Sequence, residues 1–407
     1  MNPLDMEEVD VSDYLTEPVS TTASAPIPSG SSGSSGSSGL TSKAGSVAEV
    51  LEAVDAWLAR FIRTTTPEDV HLLALWAAHT YVVEQTYTSP RLQIDSVMPG
   101  SGKTTALEHL AHLARRPLSA STISSEALLP RVLESGIRTI LIDEADRSLD
   151  QKNPIMAGVL ATINTGYKRG GSRPVLVKDS EGNWTVREMS TFAPVALAGN
   201  NPNLPDDTRS RCIRVLLMPD LDGTVEPSDW EDLEDDAERL QVWLSEEMDA
   251  ARDAVAEARP VLPDGCVARH RERWRPLARV AHVAGGRWPG IVEALILRDL
   301  AELETEREEG LSNRPLRVHL LYDLADVWRP DETFIPTPEL IARLAVAAPT
   351  RWGMESAKGL TPQGMGRMLM TGYKIASWRE PNGERRRGYT REALEPAWRM
   401  FHITPAG

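Results

Sequence analysis

Apolar positions along the chain follow two periods, and the switch between them marks the elements. VAEVLEAVDAWLARFI and DVHLLALWAAHTYVVEQ repeat their apolar residues every three to four positions, which predicts two helices, the second begun at Thr66-Pro67. From Leu92 onward short apolar runs alternate with helical stretches: LQIDSV, TALEHLAHLARR, SSEALLPRVLES, TILIDEAD, a helix through MAGVLATIN, then APVALAG. That rhythm predicts a parallel α/β sheet. RPVLVKDSEGNWTVREM divides at its Asp-Ser-Glu-Gly-Asn turn and predicts a hairpin inserted ahead of APVALAG. Residues 226–258 are acidic and helical and 265–310 continue in helix, a helical lid region. LRVHLLYDLADVW, TPELIARLAVA and LTPQGMGRMLMTGYKI, followed by SWREPNGERRRGYTREALEPAWRMF, predict helices and a short basic hairpin, the pattern of a winged helix. The expected divisions are an acidic tail with a Ser/Gly linker over 1–43, a core over 44–225, a lid over 226–315 and a winged-helix-like unit over 316–407.

Composition narrows the classes. The chain has 407 residues, room for two or three domains and a core that folds without staples. The two cysteines, Cys212 and Cys266, form no CxxC pattern; we expect two buried or inert thiols in a reducing compartment. No run approaches a membrane span of roughly 18 apolar residues, and the first segment, MNPLDMEEVDVSDYL, is acidic where a signal peptide is basic. The expectation is a cytoplasmic protein with no membrane contact. With 59 acidic against 44 basic residues the net charge is -15, so any grip on nucleic acid has to come from a local basic patch. SGSSGSSGSSG, from Ser29 to Gly39, reads as a flexible linker, native or a cloning scar.

Chemistry concentrates first in SVMPGSGKTTALEHL, residues 96–110. A phosphate-binding loop needs inward backbone N–H groups, a lysine for the terminal phosphates and a hydroxyl for magnesium. Gly100, Ser101, Gly102, Lys103, Thr104 and Thr105 offer all three, although the opening glycine of GxxxxGK(S/T) is replaced by Val97. A turn that merely caps a helix at Thr104 is the bland alternative. TILIDEAD adds Asp143 and Glu144 at the carboxyl end of an apolar strand, placed to hold magnesium and to polarise water. The strand APVALAG ends in Asn200 and Asn201, which read either as sensors of the γ-phosphate or as turn residues. Arg209 and Arg211 follow, as arginine fingers across a subunit interface or as partners of Asp206 and Asp207, with Arg211 favoured. NTGYKRGGSR, carrying Lys168, Arg169 and Arg173, reads as a DNA-contacting or pore loop or as a solvated connector. Arg385, Arg386 and Arg387, near Trp378 and Tyr389, read as a DNA-contacting wing or a solvated one. His109 and His112 form an i,i+3 pair without the carboxylate of HExxH, so metal binding by histidine is not expected. Most of the tryptophans sit at helical spacing with aliphatics and read as core.

Taken in order, ALWAAHTYV, SPRLQIDSVMPGSGKTTALEHL, ISSEALLPRVLESGIRTILIDEADRSL, NTGYKRGG, FAPVALAGN, LPDDTRSRCIRV, WRPLARVAHVAGGRWP and the C-terminal GLTPQGMGRMLMTGYKIASW with RRGYTREALEPAWRMF resemble an uncharacterised P-loop ATPase domain family of actinobacterial phages and mobile elements, often attached to primase or helicase proteins. The likeness covers about residues 47–403. That family also opens its loop with serine; the chain departs from it at NNPN and in showing no primase domain ahead of the ATPase. The resemblance implies ATP hydrolysis and DNA-linked work.

The expectation is therefore an α/β P-loop NTPase with a RecA/AAA-like parallel sheet, N-terminal helices, a helical lid and a winged-helix-like C-terminal domain. It would use ATP and Mg2+, act as a helicase-like or loader-like motor in phage or mobile-element DNA replication, and assemble as a homo-oligomer in the bacterial host cytoplasm. Partners would be single-stranded or duplex DNA and other replication proteins. An ATP-gated DNA-binding regulator and an ATP-dependent remodelling or scaffold protein are the alternatives.

Overall fold

The computed structural model describes residues 45–96, 98–121, 123, 125–148, 154–200, 204–308, 315–353, 359–380 and 385–405. The acidic tail, the Ser/Gly linker, Val97, Asn201 and the Pro-Asn-Gly turn lie outside them. Helices α1 (Val47–Phe61) and α2 (Glu68–His79) precede β1 (Arg91–Ser96). Ser46 and Glu49 close a reciprocal capping box at the start of α1, satisfying two orphan N–H groups. There follow α3 (Lys103–Leu113), β2 (Pro117–Ala120), α4 (Leu128–Glu134), β3 (Thr139–Ile142), α5 (Ala145–Ser148) and α6 (Pro154–Thr165). The hairpin β4 (Ser172–Lys178) and β5 (Trp184–Ser190) comes next, then β6 (Val195–Asn200), α7 (Asp206–Arg209) and β7 (Cys212–Leu217).

The five core strands are parallel, in the order β2-β3-β6-β1-β7. Thus β6 stands between the strand that leads to the phosphate loop and the strand that carries the acids. Alternation sends Leu92 and Ile94 to one face of the sheet with Ala196, Ala198, Ile213 and Val215, and sends Ile140, Ile142, Val195 and Leu197 to the other. Continuous burial of β1 and β3 is what a parallel sheet covered on both faces requires. Arg91, wholly buried at the amino end of β1, donates to the carbonyls of Ala193 and Ile163 at 2.5 Å each, tying β6 and α6 to the sheet.

Helices α8 (Trp230–Ala250), α9 (Arg252–Glu257), α10 (Ala268–Ala284) and α11 (Trp288–Glu308) occupy the region expected as a lid. Their buried Leu244, Met248, Trp274, Leu277 and Ile296 belong to the same apolar cluster as Leu51, Leu58, Leu92 and Ile94. The region therefore shares one core with α1, α2 and the sheet. Cys212 and Cys266 are both buried free thiols, and burial pushes the Cys212 thiol up to about 12.

The chain ends in α12 (Leu316–Val327), β8 (Phe334–Pro336), α13 (Thr337–Ala347), α14 (Pro349–Trp352), α15 (Pro362–Tyr373), β9 (Trp378–Arg379), β10 (Arg387–Thr390) and α16 (Arg391–Met400). These elements enclose a separate apolar core around Leu320, Leu324, Trp328, Met365 and Trp398. Its antiparallel sheet has the order β8-β10-β9. Gly388 is fixed by that pairing, since a Cβ there would lie 2.2 Å from the Ile335 carbonyl. No helix among the described residues is long and apolar enough to cross a membrane.

Candidate nucleotide-binding site

Strand β1 brings the chain to the site and α3 leads it away. Between them Gly100 and Gly102 hold φ values of +79° and +81°, a left-handed backbone that glycine adopts without strain. Gly102 caps α3, so the unpaired N–H groups and positive dipole end of that helix face the loop. Lys103, the first residue of α3, donates from Nζ to Ser96 Oγ at 2.6 Å and to Asn200 Oδ1 at 2.7 Å. Both partners are neutral, and no carboxylate pairs with this ammonium among the described residues. That is the electrostatic condition for an anion.

Thr104 Oγ1 donates to Asp143 Oδ2 at 2.9 Å, although β6 separates the strands from which the two residues come. The other oxygen, Asp143 Oδ1, accepts the Glu144 N–H at 2.7 Å. Glu144 itself has a φ of +50°, a conformation that costs a residue with a Cβ roughly 1–2 kcal/mol. Strain of this kind persists where the surroundings over-determine it, commonly at functional sites. Magnesium prefers oxygen ligands and keeps several waters, taking one or two carboxylates together with substrate phosphates. Thr104 and Asp143 fit such a site; no cage of three or more His, Cys, Asp or Glu side chains occurs among the described residues.

Asn200, at the end of β6, turns its side chain to the site, where Oδ1 accepts from Lys103 Nζ and Ser96 Oγ. Its N–H donates to Asp146 Oδ1 at 3.1 Å. Gly199 lies so close to α5 that a Cβ would stand 2.8 Å from Asp146 Oδ1 and 2.9 Å from Asp146 N. The sequence reading missed Asp146 and the receiving role of the Ser96 hydroxyl; the glycine directly before Asn200 was the available signal. It also missed Asp95, buried behind the loop, whose Oδ2 accepts from Arg214 Nε at 2.9 Å and Nη2 at 2.6 Å.

The arginines after β6 divide by exposure. Arg211 is 13% exposed, bonds Asp207 and lies 5.7 Å from the Tyr167 ring centroid. Arg209 is 51% exposed, with Asp206 at 3.4 Å. Arg211 thus packs inward beside Tyr167, while Arg209 stands further out. Lys168, Arg169 and Arg173 each have partners within the chain, although Arg169 is exposed. Lys168 bonds Glu272 at 2.7 Å, Arg169 bonds the Thr86 carbonyl at 2.7 Å, and Arg173 bonds Glu126 at 2.6 Å and the Gly158 carbonyl at 2.7 Å. These bonds join the loop to the segment ahead of β1, to α6 and to α10 at the amino end of the sheet. On the C-terminal sheet Arg385, Arg386 and Arg387 are exposed, with Glu380 3.4 Å from Arg386. Trp378 is 62% exposed beside them, whereas Tyr389 is buried core. His109, far from being a ligand in waiting, is buried between Trp57 and Ser228, at 3.0 and 2.9 Å.

Residues 222–401 match the family described as "Protein of unknown function (DUF3631)", a stretch that begins after the phosphate loop and covers less than half of the chain. An uncharacterized 28.9 kDa protein in the xis 5' region of Saccharopolyspora erythraea is 28% identical over 177 residues. The match spans 42% of this chain and 63% of that relative. Among solved structures, the apo C-terminal region of NrS-1 aligns at a TM-score of 0.37 and 14% identity, over 84% of this chain and 74% of its own. The Thermotoga maritima RuvB Holliday junction branch migration motor aligns at a TM-score of 0.23 and 17% identity, over 82% and 93%. Likenesses this distant place no activity on this chain. The phosphate loop, outside the family match, stands on its own geometry.

Proposed function

We propose that the chain is a magnesium-dependent P-loop ATPase whose turnover drives work on DNA. The observation that carries the ATPase reading is the convergence of Lys103, Thr104, Asp143 and Asn200, from one helix and the ends of two strands, on an open glycine loop. In this reading the backbone of Gly100 to Thr105 and Lys103 Nζ bind ATP phosphates, the lysine exchanging Ser96 and Asn200 for phosphate oxygens. Thr104 and Asp143 hold Mg2+, which when bound neutralises charge developing on the transferred phosphoryl group. Glu144 accepts a proton from the attacking water, and Asn200 orients that water or contacts the γ-phosphate. Arg209, with Arg211 behind it, reaches the phosphates of a neighbouring copy, so the working form is a homo-oligomer.

The C-terminal unit supports the DNA half. Its succession of helix, strand, three helices of which the middle one is a single turn, two strands and a final helix, with the last strand in the middle of the sheet, is what we read as a winged helix, with Arg385, Arg386 and Arg387 as DNA contacts. A helicase-like or loader-like role in replication follows. The same wing favours a second reading, an ATP-gated DNA-binding regulator. The test is ATP turnover with and without single-stranded and duplex DNA, with Lys103→Ala as the blank. Stimulation by DNA that Lys103→Ala abolishes supports the motor. Binding without turnover selects the regulator, turnover indifferent to DNA removes the DNA half, and failure to bind ATP sinks the proposal.

A further inference from the structure

At the amino end of the sheet, opposite the phosphate loop, two hollows of about 390 and 260 Å³ share Tyr87 and Arg279 in their walls. Together they form a groove between the segment ahead of β1 and the helices α9 and α10. Five arginines line it: Arg169, Arg259, Arg271, Arg275 and Arg279. Its two carboxylates are engaged elsewhere, Glu84 by Arg252 at 3.6 Å and Glu272 by Lys168 at 2.7 Å and Arg269 at 2.6 Å. On a chain whose net charge is -15, this concentration of cations is a local inversion.

The arginines are held, but not neutralised. Arg279 is only 8% exposed and bonds the carbonyls of Gln85 at 2.9 Å, Ala258 at 3.0 Å and Ala256 at 3.2 Å. Arg259 and Arg169 also rest on carbonyls. The Arg271 and Arg275 side chains make no hydrogen bond or ion pair among the described residues. Burial, then repulsion from Arg259, Arg275 and Arg169, holds the Arg279 guanidinium below its usual range. Arg271, Arg275 and Arg279 are spaced i, i+4, i+8 on α10, a row of cations about 6 Å apart. Tyr87, 65% exposed, stands where the hollows meet.

A row of cations beside an exposed ring suits a polyanion that carries flat aromatic groups. We propose that this groove binds the backbone of a single-stranded nucleic acid, with Tyr87 stacked on one of its bases. The inference deepens the DNA-linked reading by giving the ATPase core its own strand-binding surface. It is tested without nucleotide, so a failed turnover assay and a failed groove are distinguishable.

The experiment is fluorescence anisotropy of a labelled oligothymidylate of about 20 nucleotides with the full chain, across a salt series. Wild type should bind. Arg271→Glu with Arg275→Glu should weaken binding roughly tenfold or more and flatten the salt slope by about 1.4, for two lost phosphate contacts. Arg271→Ala, at an exposed position, serves if the double variant fails to fold. Tyr87→Ala should weaken the oligothymidylate roughly tenfold and leave an abasic strand unaffected. No binding by wild type, unchanged binding by the arginine variants, tighter groove-dependent binding of duplex, or equal competition by polyglutamate would each overturn the proposal.

Discussion

The imidazole of His109 joins three parts of the core, and acid should undo that junction. His109 lies on α3, the helix that begins at Lys103. Its Nδ1 accepts from Trp57 Nε1 at 3.0 Å and its Nε2 faces Ser228 Oγ at 2.9 Å. Phe61 stacks on the ring with centroids 4.3 Å apart, and the Trp230 centroid lies at 4.8 Å. Nδ1 can accept only while the ring is neutral. Burial, with lesser repulsion from His112 and Arg60, depresses the folded-state pKa from 6.5 to about 4. The unfolded chain therefore binds more protons than the folded one between these values, and stability falls as pH drops through that window. Linkage gives a loss of about 2 kcal/mol from this group at pH 5 and about 3 kcal/mol at pH 4. His109→Gln keeps an acceptor and a donor but does not titrate. In denaturant titrations followed by tryptophan fluorescence, the variant should be the less stable at pH 7, and the gap to wild type should close by about 2 kcal/mol at pH 5. Because the other histidines are common to both proteins, the difference isolates this one. A gap constant from pH 7 to pH 5 would refute the assignment.

Other expectations are simpler. Glu144→Gln should bind ATP like wild type and turn it over at least about a hundredfold more slowly; normal turnover would remove the water-activating role. Arg209→Ala should lose turnover while retaining nucleotide binding, and mixing it with Lys103→Ala should restore part of the activity if arginines act across an interface; a stronger effect of Arg211→Ala on turnover than on stability would return the role to Arg211. Gly199→Ala should force α5 away and lower stability by about 1–3 kcal/mol, read as a fall in melting temperature; an unshifted transition would contradict the close approach to Asp146. Replacing Arg385, Arg386 and Arg387 by alanine should reduce the salt slope of duplex binding by about 2–3, and an unchanged slope would take the wing out of the DNA interface.

The glycine loop before α3 and the acidic pair after β3 were legible as candidates because each is written in a few consecutive residues. GSGKT carries its own conformational signature, and TILIDEAD places acids directly after a buried run. What sequence does not write is which distant group receives a side chain. Lys168 looks like a free cation until Glu272, 104 positions away, is seen to hold it, and nothing in the sequence brings Arg211 to the Tyr167 ring. Strand β2 went unread because Pro117–Ala120 is a half-exposed edge with no apolar run, and β8 because it has only three residues. The helices expected as a lid were read correctly as helices. Their amphipathic pattern shows that a face is buried but not against what, so the shared core appeared only in three dimensions.

That shared core also bears on how the chain can be divided. Similarity to the known family begins at residue 222, which invites excision of everything before it as a free-standing module. Such a fragment would leave Leu51, Leu58, Leu92 and Ile94 without the α8, α10 and α11 side chains that cover them, and the complementary fragment would expose Trp274 and Leu277. A border drawn by sequence similarity thus runs through a single cooperative unit. The apolar cluster of 316–405 shares no residue with that core, so a cut ahead of α12 would leave both clusters whole.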